Sequence, residues 1–489
     1  MTSGHVIAID QGTTNTKAIL VDGTGKVVAK ASAPLASNYP RPGWAEQSAD
    51  DIWAGVQAVI AEIVAMYPCE IEGLAIANQR ETLVVWDGVT GRPVSPAILW
   101  QCRRTAKACE ALIRSGVNAA VIDATGLSIN ALFPASKLAW VLQNVPEAQT
   151  LADQGRLRAG TVDSWLLYKL TGGREFATDH SNASRTQLFH TGALAWDEDL
   201  CALFGVPSSA LPTPKPSDSL FGHTAEGTSA LAPGTPILAM MGDSHAALYG
   251  HGVRNPGLVK ATYGTGSSLM TVTTGRILSK HGLSSTIAWT NSSGTAYALE
   301  GNITVSAQAA AFAATMLGLA DAHALSELAQ TVPDSGGVTF VPALAGLGAP
   351  HWNDHATGTI AGMTLATTPA HVARATLEAI VLQIADVFTA MEKDIGAQLQ
   401  GLLADGGASS NDALMQLQAD ILDRPVSRGE QAEVGAIGVA TMALGSLGAD
   451  YHTSDNDLRQ FTPNVHAVAD RSLILQNWRQ AITRVTAVL

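Results

Sequence analysis

Residues 6–21 read VIAIDQGTTNTKAILV, so that two apolar runs flank a polar turn containing a glycine. This pattern predicts two antiparallel strands joined by a tight turn, and the apolar residues 27–31 predict a third strand beside them. The chain would thus open on a β-meander. Asp10, Thr13 and Thr14 would lie on the loop between the first two strands.

A similar pattern recurs half-way along the chain. Residues 258–272 read LVKATYGTGSSLMTV, again two strand-like runs around a Gly/Thr turn. Apolar residues at helical spacing predict helices over 52–64 and 372–388. Strands interleaved with helices indicate an α/β protein, and the repeated strand–turn–strand unit indicates an internal duplication.

The composition excludes several classes of function. Of the 489 residues 46% are hydrophobic and 15% are charged, and the net charge is −13 without a run of Lys or Arg, which disfavours nucleic-acid binding. The sequence lacks the P-loop, dinucleotide-binding, nucleophile-elbow and HExxH motifs. Residues 1–5 have no basic segment, and no apolar run approaches the ~18–20 residues that cross a bilayer. These features predict a cytoplasmic protein.

The Gly/Thr turns offer groups suited to a nucleotide phosphate. At Gly12 the backbone can approach a phosphate closely, Thr13 and Thr14 offer donors, and Asp10 offers a hard oxygen for Mg²⁺. Gly264 and Thr265 repeat this chemistry in the second half. A third loop, Asp405-Gly406-Gly407, lies between a predicted strand over 402–404 and a predicted helix over 413–422 that Asn411 would cap. The alternative for each is an ordinary turn.

Three further positions suit an alcohol acceptor. Asp243 follows the apolar run 237–241, where its carboxylate could accept a proton from an attacking hydroxyl or simply cap a helix. Arg80 and Glu81 could hydrogen-bond the hydroxyls of a polyol or form a surface ion pair. Trp100 could face the carbon side of a polyol or pack in a core. The residues alone leave both interpretations open in each case.

Taken in order, these residues resemble the FGGY carbohydrate kinases, and most closely the glycerol kinases within that family. The resemblance extends over nearly the whole chain. Its strongest segments are residues 10–14, 39–44, 78–82, 100–105, 161–166, 178–186, 262–266, 346–352 and 405–407, and residues 358–378 fit the family's C-terminal signature.

The resemblance implies an α/β fold of two actin-like ATPase lobes, each a duplicated ribonuclease-H-like fold, with the active site in the cleft between them. Residues 1–250 would form the N-terminal lobe, which binds the substrate and carries the first phosphate loop. Residues 251–489 would form the C-terminal lobe, with the second phosphate loop and the adenosine site. The family also implies ATP and Mg²⁺ as cofactors and a homodimer or homotetramer.

The resemblance also implies individual roles. Asp243 would be the general base, and Asp10 would hold the metal. The residues expected to line the substrate pocket are Arg80, Glu81, Trp100, Leu132, Asp243 and Ser244. Those expected to contact ATP are Thr13, Thr14, Lys17, Gly264, Thr265, Gly407 and Asn411.

Three positions depart from the glycerol kinase pattern. Leu132 stands where those enzymes carry a substrate-binding Tyr, Ser244 where Gln follows the base, and Ser268 where Phe follows the Gly-Thr-Gly turn. A lost phenol hydroxyl costs ~1–3 kcal/mol if a substrate hydroxyl is left unpaired. Glycerol, giving glycerol 3-phosphate, is the first expected acceptor. Larger acceptors that stay open are erythritol, ribitol, xylitol, xylulose and ribulose.

Two other classes of function use the same loops. An actin-like ATPase without a small acceptor would hydrolyse ATP and would not need Arg80, Glu81 or Trp100. A sugar-responsive regulator on a kinase fold would normally add a basic helix-turn-helix segment, and none precedes Val6. The sequence favours the kinase over both.

Overall fold

The computed structural model describes residues 4–429, 433–449, 458–464 and 468–487. Residues 1–3, which belong to the N-terminal stretch considered above, lie outside the described residues. So do the other short segments between and after these ranges, which fall in the predicted C-terminal lobe.

Short strands and helices alternate along the chain. The strands are β1 His5–Gln11, β2 Asn15–Val21, β3 Val27–Pro34, β4 Glu46–Gln47, β5 Ile71–Asn78, β6 Val84–Asp87, β7 Ala97–Ile98, β8 Leu157–Gly160, β9 Ala177–Asp179, β10 Phe189–His190, β11 Ala195–Trp196, β12 Thr213–Lys215, β13 Gly222–His223, β14 Pro236–Gly242, β15 Leu258–Tyr263, β16 Ser267–Thr273, β17 Ser284–Asn291, β18 Gly294–Ile303, β19 Thr339–Val341, β20 Thr359–Ala361, β21 Gly401–Asp405, β22 Val426–Gly429 and β23 Leu458–Phe461.

The described helices include three long ones, α1, α12 and α15, among many short ones. They are α1 Ala49–Met66, α2 Ala106–Arg114, α3 Asn118–Thr125, α4 Pro134–Asn144, α5 Pro146–Asp153, α6 Val162–Leu170, α7 His180–Ala183, α8 Glu198–Phe204, α9 Asp243–Gly250, α10 Gln308–Met316, α11 Ala322–Ala329, α12 Pro369–Ile395, α13 Asp412–Leu422, α14 Val434–Ser446 and α15 Val468–Thr486.

The chain divides into two units. Unit 1 comprises Met1–Gly252, Ser285–Ala298 and Glu433–Thr453, and unit 2 comprises Val253–Ser284, Leu299–Ala432 and Ser454–Leu489. Each unit is therefore discontinuous in sequence, because two segments from the second half belong to unit 1. The contiguous domains 1–250 and 251–489 stay a prediction.

Unit 1 is built on a six-stranded mixed sheet in the order β13-β14-β5-β1-β2-β3. The two central neighbours of β5, namely β1 and β14, run parallel to it, whereas β1, β2 and β3 form the predicted antiparallel meander. β5 is buried over Gly73–Asn78 because it has a paired strand on each side and helices over its faces, which explains its unbroken apolar run.

Helices α9 and α14 pack against each other in unit 1, and α14 also contacts β1, β5 and β14. The two helices approach closely because glycines line their contact. A Cβ at Gly438 would overlap the carbonyl oxygen of Ala246. This close packing fixes the start of α9, where Asp243 lies.

Unit 2 contains strands in the order β18-β16-β15-β21-β22-β23, of which β18 belongs to this unit only over Leu299–Ile303. β15 pairs with β16 antiparallel and with β21 parallel, so that the Gly/Thr turn and the Gly-Gly loop both follow neighbouring strands. The long helix α12 covers this sheet. It begins at Pro369, a favoured first helical residue, and ends at Ile395, which is followed by the C-cap Gly396 with φ 73°.

Two local expectations from the sequence are wrong. Asp10 does not lie on the loop but inside β1, where it pairs with Lys17 of β2; the ladder extends further because Gln11 and Thr16 also pair. The second concerns residues 213–218: their Pro-rich sequence predicts a loop, but they contain β12, which pairs with β9 at an edge that Pro214 tolerates.

Within the described part of the chain, the helices are too short or too polar to cross a membrane.

Candidate active site

Two carboxylates lie at one edge of the unit 1 sheet. Asp10 is near the end of β1, and Asp243 is the first residue of α9, directly after β14. Both strands run parallel to β5, so their carboxyl ends meet at the same edge, the usual position of ligand sites in such sheets. Gly242, not Asp243, is the N-cap of α9, so the capping alternative for Asp243 does not hold.

The pKa of Asp10 reflects its burial and the nearby carboxylate of Asp243. Burial, followed by the negative charge of Asp243, raises its pKa from 3.8 to about 7, although Lys17 pulls the pKa down. Glu433, just before α14, adds a smaller upward effect. Two carboxylates that repel each other at a half-buried sheet edge indicate a place for a cation.

Lys17 is a cationic residue on the strand next to Asp10. It lies opposite Asp10 in the ladder between β1 and β2, and its Nζ is 3.3 Å from Oε2 of Glu433. The Lys17 side chain keeps 39% of its surface exposed. It is therefore available to an anion at the sheet edge, provided that Glu433 releases it.

Arg80 connects the acceptor residues to Asp243. Its side chain is only 7% exposed, Nε donates to Asp243 Oδ1 at 3.0 Å and Nη2 donates to Ser244 Oγ at 3.1 Å. Asp243 Oδ1 also accepts from the Ser244 amide at 2.6 Å, while 40% of the Asp243 side chain remains exposed. The carboxylate is thus oriented from one side and open on another.

Glu81 pairs with a different arginine. Nε of Arg185 lies 2.6 Å from Glu81 Oε1, and both side chains are buried. Glu81 has φ 59°, a left-handed conformation that is costly for a residue with a Cβ and is typical of functional sites. Arg80 and Glu81 are both buried, which contradicts the surface position considered from the sequence.

Trp100 and Leu132 complete the group of expected acceptor residues. Trp100 is 37% exposed, which excludes core packing, and its Nε1 donates to Thr13 Oγ1 at 3.0 Å. Leu132 is half-buried, its amide donates to Asn130 Oδ1 at 2.9 Å, and its carbonyl oxygen accepts from Lys137 Nζ at 2.7 Å. Thr14 lies in the same turn as Thr13 and is exposed.

A buried amide network lies beneath Thr13. Gln79 Oε1 accepts from Thr13 Oγ1 at 3.3 Å and from Thr82 Oγ1 at 2.9 Å, while Gln79 Nε2 donates to Gln47 Oε1 at 3.0 Å. Gln47 Nε2 in turn donates to the carbonyl oxygen of Thr13. The Thr82 hydroxyl accepts from the Trp100 amide at 3.2 Å, so the network connects the phosphate-loop candidate to the acceptor candidate.

In unit 2 the two glycine turns follow β15 and β21. The Gly264 amide donates to the Gly266 carbonyl at 3.0 Å, and the Thr265 carbonyl accepts from the Ser306 amide at 2.9 Å. Asn411 caps α13 through the Leu414 amide at 3.1 Å, as predicted, and its Nδ2 donates to Ser326 Oγ at 2.8 Å.

Two other unit 2 positions were singled out from the sequence. Gly407 opens a short 3₁₀ turn over Gly407–Ser410, and a Cβ there would meet no atom within 4 Å. The backbone at Gly407 is therefore approachable. Ser268, one of the departures from the glycerol kinase pattern, donates to Glu300 Oε1 at 3.0 Å.

Comparison with protein families accounts for both units. The N-terminal domain of the FGGY family of carbohydrate kinases matches residues 5–250, and the C-terminal domain of that family matches residues 259–447. The chain belongs to the FGGY carbohydrate kinases. Membership in this kinase family implies ATP use and a sugar or polyol as the substrate.

Individual relatives of this FGGY kinase differ in their substrates. The chain is 47% identical to the apulose kinase of Pectobacterium atrosepticum, over 98% of each chain. It is 44% identical to the glycerol kinase of Carboxydothermus hydrogenoformans, over 99% of this chain and 98% of the relative. A Plasmodium falciparum glycerol kinase solved with ADP is 29% identical with a TM-score of 0.92, over 99% of this chain and 98% of that chain. The predicted two-lobed α/β fold of the family is confirmed.

The carboxylates at this sheet edge fit Mg²⁺ better than a metal ion that needs three or more protein ligands. Among the described residues no group of three His, Cys, Asp or Glu side chains is arranged to hold a metal ion. Mg²⁺ usually binds through one or two carboxylates and keeps several waters. Asp10, whose pKa is raised by burial and then by the charge of Asp243, offers one such carboxylate in the FGGY kinase.

Four residues that contact the expected site were missed from the sequence. Gln79 and Arg185 lie inside segments that match the family, so the sequence carried a signal for both. Gln79 contacts Thr13, and Arg185 contacts Glu81. Lys137 on α4 and Glu433 before α14 gave no such signal. A lysine in a helix normally predicts a solvated face, and Glu433 is over 400 residues from Lys17.

Proposed function

We propose that this FGGY kinase transfers the γ-phosphoryl group of ATP to a primary hydroxyl of a small polyol or ketose, with Asp243 as the general base. The supporting observation is the arrangement of Asp243, whose carboxylate is oriented by Arg80 and Ser244 and yet remains 40% exposed. A base that must reach an incoming hydroxyl needs this combination of fixed direction and access.

In the proposed mechanism, Asp243 accepts the proton of the acceptor hydroxyl as its oxygen attacks the γ-phosphorus. Arg80 holds the carboxylate in place, so little reorganisation accompanies proton transfer. Asp10, with Asp243 close by, would hold Mg²⁺, which supplies charge neutralisation to the phosphate oxygens when bound. Lys17 and the Thr13 and Thr14 groups of the β1–β2 turn would donate to the phosphates.

The nucleotide would contact Gly264, Thr265, Gly407 and Asn411 of unit 2. The two glycine turns follow neighbouring parallel strands, and Gly407 leaves its backbone open to a flat ligand. The Plasmodium falciparum relative, solved with ADP, supports a nucleotide as the common ligand of this fold.

For the acceptor, we favour a four- or five-carbon polyol or ketose over glycerol. Leu132 offers its half-buried apolar side chain where a phenol is expected, and the short Ser244 hydroxyl is already engaged by Arg80. With Leu in place of Tyr and Ser in place of Gln, the pocket is larger and has fewer hydrogen-bond donors than the glycerol kinase pattern would supply. The similarity to an apulose kinase agrees with this preference and makes apulose the first ketose to test.

The test is a coupled ADP-release screen of the purified protein with Mg-ATP. The acceptors are glycerol, erythritol, ribitol, xylitol, xylulose, ribulose and apulose, each at equal concentration. We expect the highest kcat/KM with a ketose or polyol larger than glycerol. The highest value with glycerol would overturn the acceptor preference but keep the kinase, whereas ADP release independent of every acceptor would overturn the kinase itself.

A further inference from the structure

Lys137 is a fully buried lysine of unit 1. It is the fourth residue of α4, which begins at Pro134, and its side chain has no exposed surface. Buried lysines normally need a carboxylate partner because an uncompensated charge is costly in the protein interior. The hydrogen bonds of the Lys137 ammonium go instead to main-chain oxygens.

These oxygens belong to three residues expected to line the acceptor pocket. Lys137 Nζ donates to the carbonyl oxygens of Leu132 at 2.7 Å, Glu81 at 2.9 Å and Trp100 at 3.5 Å. The three carbonyls come from separate chain segments: the loop after β5, the segment after β7, and the loop before α4. One ammonium thus connects all three segments, with the Trp100 contact the weakest.

Glu81 shows why such a connection matters. Its φ of 59° is unfavourable for a residue with a side chain, so something must hold its backbone. Lys137 binds the main-chain oxygen of Glu81, and Arg185 binds its carboxylate at 2.6 Å. The direction of the Glu81 side chain is therefore set from both ends.

We infer that Lys137 is a positioning residue for the acceptor, which sets the places of Glu81, Trp100 and Leu132 through their carbonyl oxygens without contacting the substrate itself. This inference rests on the proposed function, because it assumes that those residues meet the acceptor. It concerns the acceptor alone, since the described contacts of Lys137 do not include the residues expected to bind ATP.

The charge state of Lys137 supports the inference. Burial, with a smaller contribution from Arg104, lowers its pKa from 10.5 to about 7, although Glu81, Cys102 and Cys109 act to raise it. Arg104 is itself paired with Glu46 at 2.6 Å, and Glu81 with Arg185. A protonated amine can donate three hydrogen bonds and a neutral amine only two. Raising the pH through about 7 therefore removes one of the three connections.

The test compares Lys137→Met and Lys137→Arg with wild type, using whichever acceptor the screen identifies. Lys137→Met keeps the length of the side chain but cannot donate, so we expect the acceptor KM to rise at least about tenfold and the ATP KM to change less than about twofold. Lys169→Met is the matched control, because Lys169 is a lysine of the same unit whose ammonium lies over the Trp165 ring, away from the pocket.

The pH profile separates positioning from simple support of the fold. In wild type we expect the acceptor KM to rise between pH 6 and pH 8.5, and in Lys137→Arg, which stays charged, we expect it to be flat. If Lys137→Met only lowers the melting temperature, with an unchanged acceptor KM, the inference is wrong. The same holds if the wild-type acceptor KM is independent of pH.

Folding failure is checked separately. If Lys137→Met does not fold, Lys137→Arg and the wild-type pH profile still decide, because both use folded protein. If wild type itself phosphorylates none of the acceptors, the proposed function fails before the Lys137 variants are made. The two failures are therefore distinguishable.

Discussion

The guanidinium Nε of Arg80 lies 3.0 Å from Oδ1 of Asp243, and its Nη2 lies 3.1 Å from the hydroxyl oxygen of Ser244. Arg80 follows β5 and Asp243 follows β14, so this contact joins the carboxyl ends of two adjacent parallel strands. One side chain thereby fixes the direction of the proposed base and occupies the hydroxyl of the residue beside it. The acceptor site and the base are not independent features of unit 1.

Arg80→Lys tests this arrangement. Lysine keeps the charge but offers a single nitrogen, so it cannot contact Asp243 and Ser244 with the geometry of a guanidinium. We expect kcat/KM for the acceptor to fall about 100-fold, or about 2.7 kcal/mol, with the melting temperature nearly unchanged. Arg92→Lys, which alters an exposed ion pair with Glu147, is the control and should have near wild-type activity. A similar loss in both variants would argue against a specific role.

The acceptor preference is tested by restoring the glycerol kinase residues. The double variant Leu132→Tyr/Ser244→Gln adds a phenol and a longer amide to the proposed pocket. We expect its kcat/KM for glycerol, relative to the best larger acceptor, to rise at least about tenfold. Each single variant, measured alongside, shows which residue contributes. An unchanged ratio in the double variant would mean that selectivity lies elsewhere.

Gln79 connects the Thr13 turn to Trp100, and its side chain is buried. Gln79→Leu removes every side-chain hydrogen bond of this residue and leaves Gln47 and Thr82 without a partner at that position. We expect kcat to fall about 100-fold, because a buried network loses several bonds at once. Gln57→Leu, which removes one half-buried amide on α1, is the control.

Trp100 provides a spectroscopic check of the same network. Its indole nitrogen donates to Thr13, so adding ATP to wild type should change its fluorescence, and Trp100→Phe assigns the signal. In Gln79→Leu we expect this change to be reduced. Full activity together with an unaltered signal would contradict the proposed connection.

The raised pKa of Asp163 predicts that the stability of the protein depends on pH. Burial, and then the charge of Asp179, raise its pKa from 3.8 to about 7, against the hydrogen bonds of Thr161 and Thr178. A carboxyl group with a higher pKa in the folded state binds its proton more tightly there. Its ionisation therefore lowers the free energy of unfolding as the pH rises from about 4 to about 7, and the loss is complete above that range.

Asp163→Asn removes this ionisation and keeps a polar side chain for the two threonines. We expect the stability of the variant, relative to wild type, to increase between about pH 4 and about pH 7 in urea titrations and to level off above that range. A stability difference between variant and wild type that stays constant or falls over this range would show that the pKa of Asp163 is not raised in the folded protein.

Much of the local fold follows from the sequence pattern. The alternation of apolar runs and Gly/Thr turns correctly predicts β1, β2, β15 and β16, since each strand pairs with its sequence neighbour. Caps are equally local: Ser48 accepts from the Asp51 amide at the start of α1, and Gly396 ends α12. The place of Asp10 inside β1 was missed because pairing, not residue preference, determines where that strand ends.

The contacts of the candidate site depend on distant parts of the chain. Asp243 and Arg80 were chosen individually, but their pairing depends on the order of β14 and β5 in the sheet, which the sequence does not state. Glu433 meets Lys17 because α14 returns to unit 1 after the chain has formed most of unit 2. Lys137 is buried by such packing, although its residue type alone predicts exposure.

The role of Asp243 as the general base is tested most directly by the turnover of Asp243→Asn with Mg-ATP and the best acceptor. We predict that kcat falls by a factor of about 10²–10⁴, while the dissociation constant for ATP stays near the wild-type value. Asp197→Asn, at a helix cap where Asn serves as well as Asp, is the matched control and should be fully active. Near-normal turnover of Asp243→Asn would contradict the assignment of the base.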